Sequence, residues 1–234
     1  MRHARIAILP VASYEQHGPF LPFDTDIVIA KYFAEKIQAI FDESMMLPAV
    51  PYGIAEEHQC NSISIRLENA INYWMDILSS IRESMTSIKL IVMVNGHGGN
   101  KDALKAACNS FNYRGNGTKA MVLDVFQPKA RKKSEEIFGA GPVHGDSAET
   151  SVYEVITGAE EDIEIFVKRV EPHALSLFQS KHLSQSGIVS KTDRVFADKN
   201  AGRMIIEASI QEMKTKIEEY MDTILSYELN IDAN

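Results

Sequence analysis

The chain has 234 residues, 45% apolar and 24% charged, ordinary values for a soluble globular protein and enough to bury a core without disulfides or a structural metal. Its 24 basic against 32 acidic side chains leave a net charge of −8, which argues against a non-specific nucleic-acid binder, because such a protein needs a basic footprint. No apolar stretch reaches the ~20 residues of a membrane span, no signal-peptide order opens the chain, and Cys60 and Cys108 form neither a CxxC nor a disulfide framework. The expectation is a cytoplasmic protein, folded as one domain over residues 1–234.

Strand and helix patterns alternate along the chain. Arg5 to Val11 is a short apolar run, read as a strand, that leads into a loop rich in Gly and Pro. From Asp26 a helical pattern places Ala30, Phe33, Ile37 and Ile40 on one face. Met45 to Val50 is a second apolar run, and Ser62 to Leu67 reads as a short extra strand. Ile71, Trp74, Leu78, Ile81 and Met85 then recur at intervals of three and four, an amphipathic helix with Trp74 in the core. Ile88 to Val94 is almost wholly apolar, as a strand covered on both faces should be. A helix restarts near Lys101, and Thr118 to Phe126 is the next strand. Ser147 to Ile156 reads as helix and Ile163 to Val170 as strand. Asp198 is placed to cap a long amphipathic C-terminal helix. Such alternation predicts an α/β protein of three layers, a mainly parallel sheet with helices on both faces.

In such sheets chemistry sits at the C-terminal ends of the strands, and three polar clusters fall there. The first holds Glu15, His17, Asp24 and Asp26 in the loop after the first strand. A reversal there brings a carboxylate, an imidazole and a second carboxylate onto one point, a mixed N/O set that suits zinc, manganese or iron. The same residues also suit a polar loop whose Asp24 or Asp26 caps the next helix. The second cluster, Asn95-Gly96-His97-Gly98-Gly99-Asn100, ends the most apolar strand. Glycines there let a ligand approach the backbone closely, so Gly98, Gly99 and Asn100 are expected to meet substrate. A phosphate cradle is the other reading, but the Lys-Ser/Thr of a P-loop is missing. The third, His144-Gly145-Asp146-Ser147-Ala148-Glu149-Thr150-Ser151, puts a histidine in a loop and Glu149 in the first turn of a helix, where the helix dipole alone also favours an acid.

Together these clusters resemble the creatininase family of metal-dependent amidohydrolases. Its first signature, Gly-Ser-x-Glu-Gln-His-Gly-Pro-His-Leu-Pro-x-x-Thr-Asp, is similar to the run from Ala12 through Glu15-Gln16-His17-Gly18-Pro19 to Thr25-Asp26. The Asn-Gly-His-Gly-Gly-Asn turn and the His, Glu-Thr-Ser run are its second and third. Tyr52-Gly53 and Glu57-His58 agree more weakly. The resemblance implies two divalent metal ions per chain (zinc, manganese or iron). Glu15 and His97 would hold one ion, His17 the other, and Asp26 both. Creatininases proper carry an acid two residues past the second-motif histidine, where this chain has Gly99, so Glu149 is the expected replacement. Ions of this kind activate water for attack on an amide carbonyl. The departing nitrogen then needs a proton, assigned to His144 with His58 as the second candidate. His3, His173 and His182 lie outside any motif and read as surface residues.

The expected substrate is a small-molecule amide, with neither nucleic acid nor membrane as partner. Relatives that open creatinine use tryptophans near the third motif, and no aromatic residue lies between Phe138 and Tyr153 here. Other members deformylate a ribosylaminopyrimidine phosphate or trim a peptide. A phosphate would need a basic site, and Lys129, Arg131, Lys132 and Lys133 form the one basic cluster, which also reads as a solvated helix face. Gly99 and the divergent Gln59-Cys60-Asn61 leave room for a metal-binding but catalytically silent assembly subunit, and a two-metal phosphohydrolase is a third reading. The family resemblance implies a closed homo-oligomer, often a hexamer. Two features agree with association: Ser134 to Val143, read as a loop beside the site, and a C-terminal helix with apolar residues from Met204 to Leu225 wider than one stripe.

Overall fold

Two apolar runs make the centre of the sheet. Strands β1 (Ile6–Val11) and β3 (Leu90–Asn95) are buried at every position, as strands covered on both faces must be. They pair in parallel from Ile6↔Leu90 to Val11↔Asn95, with β2 (Ser44–Met46) on the far side of β1 and β4 (Lys119–Asp124) beyond β3, also parallel. The order β2-β1-β3-β4 reverses direction between β1 and β3. That switch point opens a crevice at their C-terminal ends. The computed structural model describes residues 4–58, 61–115, 117–159 and 163–232, so His3 and the Gln59-Cys60 divergence lie outside the described residues.

Side chains of successive strand residues point to opposite faces, and each face has its own core. Ile6, Ile8, Leu90, Val92 and Val94 pack under helices α1 (Thr25–Gln38), α4 (Pro128–Phe138), α5 (Ser147–Thr157) and α7 (Lys199–Asp232). Ala7, Leu9, Val11, Ile91 and Met93 pack under α2 (Leu67–Ser84) and α3 (Lys101–Arg114), where Trp74 is fully buried. The fold is a three-layer α/β/α sandwich, with one short helix, α6 (Ser180–Leu183), before α7. Asp198 caps α7 as its position predicts, its carboxylate accepting from the N–H groups of Asn200 and Ala201.

Four expectations change. Ile40 lies past the end of α1 and is 37% exposed. Ser62 to Leu67 makes only single bridges, Ile63 to Tyr14 and Ser64 to Gly53, because no sheet face is available to cover Ile63. Within Ile163 to Val170 only β5 (Glu164–Phe166) is strand, and it pairs antiparallel with β6 (Arg194–Phe196) in a separate ribbon. The Ser134 to Val143 loop is helical as far as Phe138, since Pro128 starts α4 at a position that needs no N–H. Of the wide apolar set on α7, Ile205, Ile206, Met213 and Ile217 are buried in the chain's own core, and Met204 is exposed.

The second-motif turn packs directly on α1. A Cβ at Gly96 would sit 2.5 Å from the Asp26 carbonyl oxygen and 3.1 Å from Ala30 Cβ, so only glycine lets α1 approach the end of β3 this closely. Gly96→Ala should therefore push α1 outward, costing about 1–3 kcal/mol of stability in urea unfolding and displacing Asp26. A variant as stable as the parent would show that this contact yields freely.

Candidate metal centre

The crevice gathers side chains from five segments of the chain. The loop after β1 supplies Glu15 and His17, the first turn of α1 supplies Asp26, and the end of β3 supplies His97. The loop before α5 brings His144, and the first turn of α5 brings Glu149. All six are buried. His97 Nδ1 lies 3.0 Å from Glu15 Oε1 and 3.1 Å from Asp26 Oδ2. His17 Nε2 lies 3.1 Å from Asp26 Oδ1 and 3.8 Å from Glu149 Oε2. Two triads result, Glu15–Asp26–His97 and His17–Asp26–Glu149, each with its donor atoms within 4.8 Å of one another and with Asp26 common to both. A third group, Glu15–His17–His144, overlaps them.

The outer face of each histidine decides what its inner face offers. His17 Nδ1 is 3.0 Å from the Glu15 carbonyl oxygen, and His97 Nε2 is 2.7 Å from that of Ile54. A carbonyl only accepts, so both outer nitrogens carry hydrogen. In a neutral ring the inner nitrogens are then lone pairs aimed at carboxylates. Such a lone pair needs a cation opposite it, either a proton or a metal ion. Without metal the proton wins. Burial would lower both imidazoles, but the carboxylates outweigh it, Asp26 foremost for His17 and Glu15 foremost for His97, and both pKa values are raised. Burial would raise Asp26, yet His17 beside it holds its carboxyl well below the usual range. Burial, with Asp26 and Asp146 nearby, raises Glu149.

The donor set fits divalent ions. Apart from the His97 Nδ1 that faces them, Glu15 Oε1 and Asp26 Oδ2 are buried with no hydrogen-bond partner among the described residues, and Glu15 Oε2 is buried with none. Desolvating such a carboxylate costs on the order of several kcal/mol, which a cation among the three oxygens would offset. Mixed imidazole and carboxylate donors match zinc, manganese or iron.

His144 is arranged differently. Gln16 Oε1 accepts from the Gly18 N–H at 3.0 Å, which orients the amide. Its Nε2 then donates to the Gly187 carbonyl at 3.1 Å and to His144 Nε2 at 2.9 Å. With Nε2 accepting, neutral His144 carries its hydrogen on Nδ1, which points into the site 3.6 Å from Glu15 Oε1. Burial, followed by the neighbouring imidazoles of His58 and His17, keeps His144 well below the ordinary histidine pKa. His58 stacks on His144 with ring centroids 3.8 Å apart and reaches 3.6 Å from Glu15 Oε1.

A cavity of about 610 Å³ opens over the cluster. Gly98 and Gly99 line it, but Asn100 does not. Asn100 is fully buried, accepting from the Ile54 N–H at 2.9 Å and donating to the Ala12 carbonyl at 3.1 Å, so its amide ties two loops together. The Asp24 side chain makes no cap hydrogen bond at α1, and Asp26 faces the histidines; Asp146 does cap α5. His173 and His182 are exposed. Gln16 and Glu57 are the residues the sequence reading passed over. For Gln16 the available signal was its place between two ligand candidates.

A parallel α/β/α sandwich with two imidazole–carboxylate triads at its switch point is the frame of a metal-site protein. The sequence model of the creatininase family (creatinine amidohydrolase) matches residues 1–217, and the chain belongs to that family. It is 38% identical over 111 residues to the mycofactocin precursor peptide peptidase of Mycobacterium tuberculosis, a match spanning 43% of either chain, less than half the relative's length. It is 24% identical over 233 residues to the 2-amino-5-formylamino-6-ribosylaminopyrimidin-4(3H)-one 5'-monophosphate deformylase of Methanobrevibacter ruminantium, covering 95% of this chain and 93% of that one. The fold is shared with a crystal structure of creatininase, at TM-score 0.67 and 19% identity over 92% of this chain and 90% of the other. It is also shared with a Bacteroides fragilis protein described as a putative creatinine amidohydrolase, at TM-score 0.69 and 18% identity over 92% and 89%.

Because His17, His97 and Glu149 are all raised, they hold protons near neutral pH when no metal is bound, and an ion must displace them. Metal uptake at pH 7 should release protons, and apparent affinity should strengthen as pH rises. Calorimetric titration with zinc in buffers of different ionisation enthalpy measures the number released. Uptake without proton release would place the ion elsewhere.

Proposed function

We propose that this chain is a two-metal amidohydrolase that cleaves a non-peptide or cyclic C–N bond in a small molecule. The observation that carries the reading is the pair of triads sharing Asp26 beneath an open cavity. Glu15, Asp26 and His97 would hold one divalent ion, and His17, Asp26 and Glu149 the second. Glu149 completes the second set without an acid at Gly99, which makes a catalytically silent assembly subunit the poorer reading. Ions at these positions supply Lewis acidity and lower the pKa of water at the site.

The chain's own residues do the rest. The outer hydrogen bonds to the Glu15 and Ile54 carbonyls hold both ligand rings in register. Water adds to the carbonyl carbon, the C–N bond breaks, and the nitrogen leaves with a proton. His144, whose Nδ1 faces the cluster, is the proton carrier to that nitrogen: it takes up the proton that the water loses, donates from the imidazolium form and returns neutral, and in the resting site Gln16 donating to Nε2 fixes which ring nitrogen faces the cluster. His58, stacked on His144, is placed to support it or to orient substrate.

A second reading, deformylation of a phosphate-bearing formamide, draws on the near-full-length similarity to the archaeal deformylase. It lacks a phosphate site. No Lys or Arg lines the cavity among the described residues, and the Lys129, Arg131, Lys132 and Lys133 cluster lies on α4 away from it.

His144→Ala should keep its metal and lose turnover by about 10²–10⁴-fold, the range of a general acid, whereas His17→Ala should lose metal and turnover together. Elemental analysis alongside a screen of small amides and formamides measures both. Loss of an ion from His144→Ala would instead make His144 a ligand, through its group with Glu15 and His17. The chain is further proposed to act as a cytoplasmic homo-oligomer, a hexamer on the family pattern. Light scattering at micromolar concentration should give a mass several times that of one chain, and a monodisperse single-chain mass would refute it.

A further inference from the structure

When Glu15, Asp26 and Glu149 are committed to ions, two carboxylates of the cavity wall remain without a role. Glu56 and Glu57 both come from the short 3-10 turn Glu56–His58. Glu57 lies over Gly99, where a Cβ would come within 2.5 Å of the Ile54 carbonyl oxygen and of His97 Nε2 and would also meet Glu57 Oε1, so the glycine fits the Ile54 loop and leaves the carboxylate its place. Its Oε1 is 3.5 Å from His97 Nε2, whose hydrogen is already taken by the Ile54 carbonyl at 2.7 Å. No Lys or Arg among the described residues pairs with Glu56 or Glu57. The side chain of Glu57 is 21% exposed and part of the cavity wall.

A neighbouring stretch of the mouth is apolar, tied to the same turn by Gln179 Nε2, which donates to the Glu56 carbonyl at 3.3 Å. Leu175, Leu177 and Phe178 line it, and Leu177 and Phe178 are 69% and 56% exposed, large apolar side chains left uncovered at the mouth of a polar site. A wall that joins two carboxylates, faced by imidazoles but by no Lys or Arg among the described residues, to aliphatic and aromatic surface is complementary to a cation wrapped in methyl or methylene groups. An aromatic face adds to that attraction. It is poorly complementary to an anion, which would meet Glu56 and Glu57 with no basic side chain to receive it.

Building on the amidohydrolase reading, we propose that the cavity takes small amides whose non-reacting end is a cation bearing apolar substituents, such as a substituted ammonium, with Glu57 as the residue that selects it. Gly99 then has a different part from the acid it replaces: it clears the Ile54 carbonyl and His97 and leaves the selecting carboxylate its place, rather than supplying a ligand.

Three acetamides that share an ethyl linker on nitrogen and end in trimethylammonium, tert-butyl or sulfonate test this. The first two differ in charge alone, and a quaternary ammonium cannot ligate a metal. Calorimetry with the zinc-loaded full chain gives affinity, and acetate release gives turnover. The trimethylammonium compound should bind about 10-fold tighter than its tert-butyl isostere, in keeping with a partly exposed charge and cation–π contact. The sulfonate should bind weakest. Glu57→Gln, with zinc content unchanged, should shrink the ammonium advantage to about 3-fold or less. Equal binding of all three, no binding by any at millimolar concentration, tightest binding of the sulfonate, or an advantage undiminished in Glu57→Gln would each overturn the proposal. The expected order of binding without acetate release would uphold the selectivity and count against the amidohydrolase reading instead.

Discussion

The carbonyls of Glu15 and Ile54 each take the outer ring N–H of a histidine, His17 at 3.0 Å and His97 at 2.7 Å, and so decide which nitrogen of each ring faces Asp26. Every other property of the centre depends on that pair of hydrogen bonds. With the outer nitrogens committed, two lone pairs converge on carboxylates that are themselves buried and in part unpartnered. Such an arrangement is stable only with positive charge at its middle. The raised histidines of the metal-free chain and the fitness of the site for divalent ions are two answers to one electrostatic demand. Asn100 secures one of the two anchors, because its amide accepts from the Ile54 N–H and so holds the residue whose carbonyl orients His97.

The sheet explains why residues so far apart in the chain share this demand. Strand order reverses between β1 and β3, so the loops leaving these neighbours diverge to opposite sides and leave a crevice between them. Glu15 and His17 come from one lip and His97 from the other. Gly96 lets α1 close against the end of β3, which carries Asp26 between the two histidines, within bridging distance of both. α5 completes the set, with Asp146 as its cap and Glu149 one turn in, where Glu149 Oε2 accepts from the Gly145 N–H at 2.6 Å.

Charge is layered by depth. Among the described residues the innermost carboxylates have only imidazoles as neighbours able to neutralise them, whereas Glu57 keeps part of its side chain at the cavity wall. Between these layers lies the stacked pair His58 and His144, both held below the ordinary histidine pKa by burial foremost, with neighbouring imidazoles adding to it at His144 and the carboxylates of Glu15 and Glu57 opposing it at His58. Neutral rings placed among charged ones are suited to passing protons, while their charged neighbours are suited to holding cations.

The sequence alone determined the strands β1, β3 and β4 and the helices α1, α2, α3, α5 and α7, because their signals are local: continuous apolar runs for doubly covered strands and three-to-four spacing for helices. It also determined the ligand candidates Glu15, His17, Asp26, His97 and Glu149, since each stands in a cluster at a strand-to-helix junction. The division of these residues between two ions is implied by the family resemblance and not by spacing; the tertiary structure alone decided the geometry in which they meet, because that depends on strand order and on the approach of α1, neither of which leaves a local pattern. It turned Asn100 inward to brace the Ile54 loop, an outcome no reading of a glycine-rich turn distinguishes from a substrate contact. It set Gln16 against His144, 128 residues away, and Glu57 over Gly99. Ser62 to Leu67 and Ile163 to Val170 show the same limit from the other side: alternation makes a strand only where a sheet edge and a covering layer exist to receive it.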